Sequence, residues 1–229
     1  MRYLLLILIS SFCFTLSFSQ INEIGVIFGG SNFLGDVGST NYIAPNQPAL
    51  GGIYKWNRSA RHSYRFSVLF TDLEGNDSKS DDPRREQRGY EFNTSIIELA
   101  AGMEFTFFEF DLHNPGFKTT PYLFAGISAA NHDNSFFQNG EQTSEDTSSW
   151  AFGIPFGLGY KAAIFDHWVL AAEIGARFTF SDELDGSVPD SELRQNLAFG
   201  NTNNNDWYMF TGLTLTYTFG RNPCYCIGK

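Results

Sequence analysis

The residues best suited to acid–base chemistry or metal ligation are four histidines, His62, His113, His132 and His167. They fall beside different turns and loops, and no two stand at a metal-ligand spacing, so surface or interfacial roles are expected of them. No G-x-S-x-G elbow is present, and the run GGSNFLGDVGS lacks the lysine of a phosphate loop. The acidic loops Asp77 to Asp82 and Asp182 to Gly186, with the Asn-rich Asn201 to Asp206, offer oxygen ligands, but their spacing is not that of an EF-hand. Ordinary solvated loops are the expectation. Without its leader the chain keeps Cys224 and Cys226, whose separation leaves open a strained local disulfide, free thiols and a bridge to a partner. No catalytic residue, cofactor site or metal site emerges, and the chain reads as a non-enzyme.

The ionic residues that do form a pattern are Glu23, Glu98, Glu104 and Glu173 with Lys55, Arg65, Lys161 and Arg177. Each lies in a stretch that alternates with period two, on the side opposite the bulky residues. In one stretch Ile97, Leu99, Met103, Phe105 and Phe107 oppose Glu98, Gly102, Glu104 and Thr106; in another Trp150, Phe152, Ile154, Phe156, Leu158 and Tyr160 oppose mostly glycines and Lys161. The last stretch, WYMFTGLTLTYTF, sets Trp207, Met209, Leu213, Leu215, Tyr217 and Phe219 against Gly212, Thr214, Thr216 and Thr218. One surface is greasy, with aromatics toward its ends; the other is small, polar and balanced in charge. That is the pattern of strands that face lipid outside and a narrow lumen inside.

Eight such stretches are expected, near Asn22–Phe33, Ala49–Asn57, Arg61–Leu73, Thr94–Phe108, Phe117–Asn131, Trp150–Ala162, His167–Phe180 and Trp207–Phe219. Their connections alternate between long (Leu34–Pro48, Glu74–Asn93, His132–Ser149, Ser181–Asp206) and short (Arg58–Ala60, Glu109–Gly116, Ala163–Asp166). Outer-membrane barrels show this asymmetry, with the short turns in the periplasm. An eight-stranded antiparallel outer-membrane β-barrel follows, too narrow for an open pore and filled by its own ion-paired side chains. A soluble barrel would carry more lysine and glutamate, and less glycine, on its polar face. The three arginines Arg84, Arg85 and Arg88 follow Asp81 and Asp82 and read as an ion-paired loop, while PDSELRQNL (Pro189–Leu197) reads as a short helix capped by Asp190 or Ser191.

Composition agrees with this class. A mean hydropathy of −0.20 hides the lipid-facing half of alternating strands, and the net charge of −10 speaks against nucleic acid as a partner. Residues 1–19 read as a signal peptide: Arg2, an apolar run Leu4–Leu16 too short to span a membrane, and Ser17-Phe18-Ser19 before cleavage. Residues 20–220 then form the barrel and 221–229 a periplasmic tail.

Several phrases, NEIGVIFGGSNFLGDVGSTNYIAP, YKWNRSARHSYRF, LEGND with DDPRREQRGYEF, FFEFDLH and TYTFGRNPCYC, resemble the PorG family, an outer-membrane barrel component of the type IX secretion system of Bacteroidota. The resemblance implies a non-enzymatic role beside the periplasmic ring proteins PorK and PorN, in secretion and, in gliding species, motility. It also implies a location in the Gram-negative outer membrane, in contact with its lipid and with other barrels as further partners. On the expected topology the groups facing such a ring are Arg58, Arg61, Glu109, Asp111, His113, Arg221, Cys224 and Cys226. A general envelope or porin-like barrel, and an outer-membrane enzyme acting on lipid A or phospholipid, are the competing readings.

Overall fold

The computed structural model describes residues 21–112, 116–201 and 205–220. The expected signal peptide and periplasmic tail, together with His113, Arg221, Cys224 and Cys226, lie outside the described residues.

Eight antiparallel strands form one closed barrel: β1 (Ile21–Leu34), β2 (Gln47–Asn57), β3 (His62–Asn76), β4 (Glu91–Thr106), β5 (Lys118–Gln138), β6 (Glu141–Phe165), β7 (Trp168–Thr179) and β8 (Trp207–Phe219). Each strand pairs with its chain neighbour, and β8 closes the ring by pairing with β1, Glu23 opposite Thr218 and Phe28 opposite Leu213. Closure leaves no unpaired edge, which is what a sheet in hydrocarbon requires.

Alternation decides which side each residue takes. Val26, Leu50, Phe66, Leu99, Ile127, Phe152, Phe156 and Leu158 are all exposed, Leu50 by 63%. On the same outer face Tyr54, Tyr64, Tyr160, Trp168, Tyr217 and Phe219 ring the short-turn end, and Trp150 and Trp207 stand toward the other. The hydroxyls of Tyr54 and Tyr160 reach Asn22 and Thr119, each at 2.8 Å, so ring and hydroxyl suit a membrane–water boundary. A continuous apolar surface of this size has no place in water. The protein is an integral outer-membrane β-barrel.

The inner wall needs room, and glycine supplies it. Gly102 and Gly126 face each other across β4 and β5, where a Cβ on either would lie 2.2–2.3 Å from the opposite strand's carbonyl oxygen. Only glycine permits that approach.

Three features depart from the sequence reading. The expected loop His132–Ser149 is a continuation of β5 and β6 into a long hairpin, with the ladder running to Gln138 opposite Glu141. Asn139 (φ 54°) and Gly140 (φ 91°) make its turn, a pairing that suits the left-handed backbone of a two-residue hairpin. The arginine-rich loop contains a short helix, α1 (Pro83–Arg88), capped by the Asp82 carboxylate, and the expected helix near Pro189 is a 3-10 turn over Glu192–Leu197 with no side-chain cap at Ser191. Finally, the faces are less strictly divided than alternation implies. Met209 is buried, and Ile27, Ile53, Leu69 and Phe210 pack inside the barrel as an apolar layer.

Candidate functional site

No two strands alone hold the lumen together; charged side chains from six of them meet across it. Lys55 on β2 and Lys161 on β6 both grip the Glu104 carboxylate of β4, at 2.7 and 2.6 Å. Arg65 on β3 reaches across to Glu173 on β7 with two guanidinium nitrogens, the second at 3.2 Å. Arg177 on β7 approaches Glu98 on β4 at 3.3 Å. Glu23 on β1 is held differently: its carboxylate accepts hydrogen bonds from Asn57 (2.8 Å) and Thr216 (2.6 Å). All eight groups are at most 3% exposed. Charges removed from water this far are tolerable only when paired and hydrogen-bonded, and four acids against four bases leave the lumen neutral.

Aromatic rings fill the remaining space. The Tyr122 hydroxyl donates to Glu173 at 2.9 Å, and its ring occupies the volume left by Gly159, where a Cβ would come within 2.3 Å of it. Arg65 lies over the Phe124 ring at 4.3 Å, and the Tyr208 hydroxyl donates to Glu98. Rings beside guanidinium groups shield them without competing for their hydrogen-bonding partners.

Both barrel ends are closed. At the short-turn end the β4–β5 connection folds inward, so that Phe110 packs on Ala163 and Val169 with Leu112 beside them. The Phe110 amide donates to the Ala60 carbonyl at 2.9 Å, and Lys161 sits 4.7 Å from the Phe110 ring centre. At the long-loop end Phe33, Val37, Leu73, Phe92, Phe137 and Leu184 form a second small core, with Tyr90 stacked on Phe137 at 4.6 Å. Arg88 of α1 binds the buried Asp77 carboxylate at 2.7 Å and donates to the Asp36 carbonyl, pinning the β3–β4 loop over the β1–β2 loop. Among the described residues, an apolar cluster stands at each end with ionic side chains between.

The described residues of the expected partner surface lie together on the short turns. Arg61 approaches Glu109 at 3.8 Å, both substantially exposed, and Arg58 and Asp111 are also engaged. The described histidines lie in separate surroundings: His62 contacts Ser59 at 3.2 Å beside Phe105, His132 is buried in β5, and His167 lies against Tyr217. Among the described residues, no three His, Cys, Asp or Glu side chains are grouped to hold a metal ion.

Sequence reasoning did not reach the two plugs. The signal for Phe110 was present as a break in alternation, since Phe107 and Phe108 are both exposed and Phe110 turns inward. The signal for Phe137 was the Asn-Gly pair that follows it.

The model of a family described as "Domain of unknown function (DUF6089)" matches residues 2–228. No curated protein matches the chain by sequence. Solved structures with a similar course include the attachment invasion locus protein Ail of Yersinia pestis (11% identity, 88% of this chain and 100% of that one, TM-score 0.49). The Neisserial surface protein NspA (11%, 87% and 97%, 0.45) and a major outer membrane protein of Thermus thermophilus (13%, 88% and 100%, 0.45) are others. Likeness at this level carries no functional argument.

Proposed function

The chain belongs to the DUF6089 family, and on that premise we propose that it is a non-catalytic outer-membrane component of the type IX secretion machinery, working through its surfaces and not its interior. The observation that supports the non-channel part of this reading is the filled lumen, with Phe110 packed at one end, the Phe92 cluster at the other and buried ion pairs between. What remains available is an apolar belt for lipid and two polar faces. The resemblance of the sequence to the PorG family supplies the partner class, a periplasmic ring of the PorK and PorN kind. On the expected orientation Arg58, Arg61, Glu109 and Asp111 face it.

Affinity purification of the tagged protein from native membranes tests this reading. Ring proteins are expected in the eluate, and charge reversal by Glu109→Lys with Asp111→Lys is expected to reduce their recovery while the barrel still assembles. Recovery of the barrel alone, from membranes that contain an assembled ring, contradicts the proposal and favours a general envelope barrel.

A further inference from the structure

Four aspartates lie near enough to repel one another at the long-loop end, in the outer cap formed by the loops there. Asp36 comes from the β1–β2 loop; Asp182, Asp185 and Asp206 come from the β7–β8 connection. Asp185 is fully buried, and one carboxylate oxygen accepts the amides of Asp36 (3.0 Å) and Val37 (3.2 Å) while the other accepts that of Ser187 (2.9 Å). Asp36 in turn accepts the Asn201 amide at 2.7 Å. These bonds fasten the β7–β8 loop to the β1–β2 loop. Asp206, 1% exposed, accepts the Leu184 amide with Oδ2, but its Oδ1 is buried without a partner. Both carboxyl oxygens of Asp182 are buried and unpartnered as well.

The charged neighbours do not compensate. Glu183 adds to the repulsion on Asp182. Arg88 reaches the Asp36 carbonyl, but its ion pair is with Asp77, and Arg194 is paired with Glu145 at 3.3 Å. Burial and the proximity of Asp185 and Asp36 push the Asp182 carboxyl up to about 7. Burial, then Asp185 and Asp182, hold Asp206 well above the ordinary carboxylate range. Asp185 is raised too, by burial, but the amides it accepts favour its ionised form. A metal ion is the other way to neutralise such a cluster, and the described acids are not grouped to cage one.

We propose that Asp182 and Asp206 hold protons near neutral pH, leaving the Asp185 carboxylate to clasp the β1–β2 loop, so that the outer cap is a latch closed by protons. The sign follows from linkage. Acids whose pKa is higher in the latched state bind more protons there than when released, so the contribution of Asp182 and Asp206 is fully present below the ordinary aspartate value of about 4 and weakens as pH rises toward about 7, while the clasp itself needs Asp185 ionised and is therefore read above about pH 5.

Amide hydrogen exchange on the full-length barrel in lipid nanodiscs, corrected for the intrinsic pH dependence of exchange, reads this directly. Protection of the Asp36, Val37 and Leu184 amides is expected to fall between about pH 5 and about pH 7, by up to about tenfold per pH unit for each group that titrates. Strand amides such as that of Ile53 are expected to hold. Asp182→Asn and Asp206→Asn, which cannot ionise, are expected to keep the loop protected at alkaline pH. Asp185→Asn is expected to weaken protection of Asp36 and Val37 at every pH, and the pH profile of the natural sequence decides the case if the Asp182 and Asp206 variants fail to assemble. A flat profile in the natural sequence, an undiminished pH dependence in both asparagine variants, or protection that calcium restores at alkaline pH and a chelator removes at acid pH overturns the proposal; the last would replace protons with a cation.

Discussion

Glu104 is the residue on which the interior depends most, because one carboxylate answers two buried lysines. Replacing it by glutamine leaves Lys55 and Lys161 buried with one acceptor and no counter-charge. The expected cost is about 3–5 kcal/mol, the range for breaking a buried ion pair from one side. Glu23→Gln removes charge-assisted hydrogen bonds from Asn57 and Thr216 and breaks no direct ion pair, so about 1–2 kcal/mol is expected. Urea unfolding of the two variants in lipid vesicles, followed by tryptophan fluorescence, checks the order. The eight ionic residues were readable from alternation, since each opposes a bulky neighbour in its strand. Their partners were not: the register sets Glu23 directly opposite Lys55, yet Lys55 reaches across the lumen to Glu104, so neighbouring positions in the ladder do not tell which acid meets which base.

At the scale of elements, strand existence and order followed from period-two patterning, and β8 has the bounds its sequence suggested, Trp207–Phe219. Errors concentrated where polar residues hid a continuing ladder. The tips of β5 and β6 are rich in serine, asparagine and acid, so composition reads as loop, yet their backbones pair to Gln138 and Glu141. The plug formed by the β4–β5 connection shows the same limit, because a folded-in turn leaves little periodic trace. Phe110→Ala is expected to destabilise the barrel by about 3 kcal/mol through a cavity at the short-turn end, measured in the same unfolding assay. Gly102→Val is expected to block assembly, since its side chain would meet the Ala125 carbonyl; loss of the heat-modifiable band on a semi-native gel reports it.

For the whole molecule, charge is distributed by compartment. The lumen is balanced, and much of the acidic excess collects at the long-loop end, where Lys79, Arg84, Arg85, Arg88 and Arg194 are outnumbered by acids that include Asp133, Glu141, Glu145, Asp146, Glu183, Asp190 and Glu192. The cap is thereby an anionic surface with a proton-dependent fastening beneath it. The opposite end offers the mixed charges of Arg58, Arg61, Glu109 and Asp111 on short, mutually bonded turns. Lipid grips the belt between. A barrel so arranged presents two faces, and on the proposed function its interior takes no part in transport. Single-channel recording of the purified protein in planar bilayers tests that claim most directly. No discrete conductance is expected from the natural sequence, with leak appearing when Phe110→Ala is combined with Glu104→Gln; stable open-channel steps from the unmodified barrel would contradict a filled, non-conducting lumen.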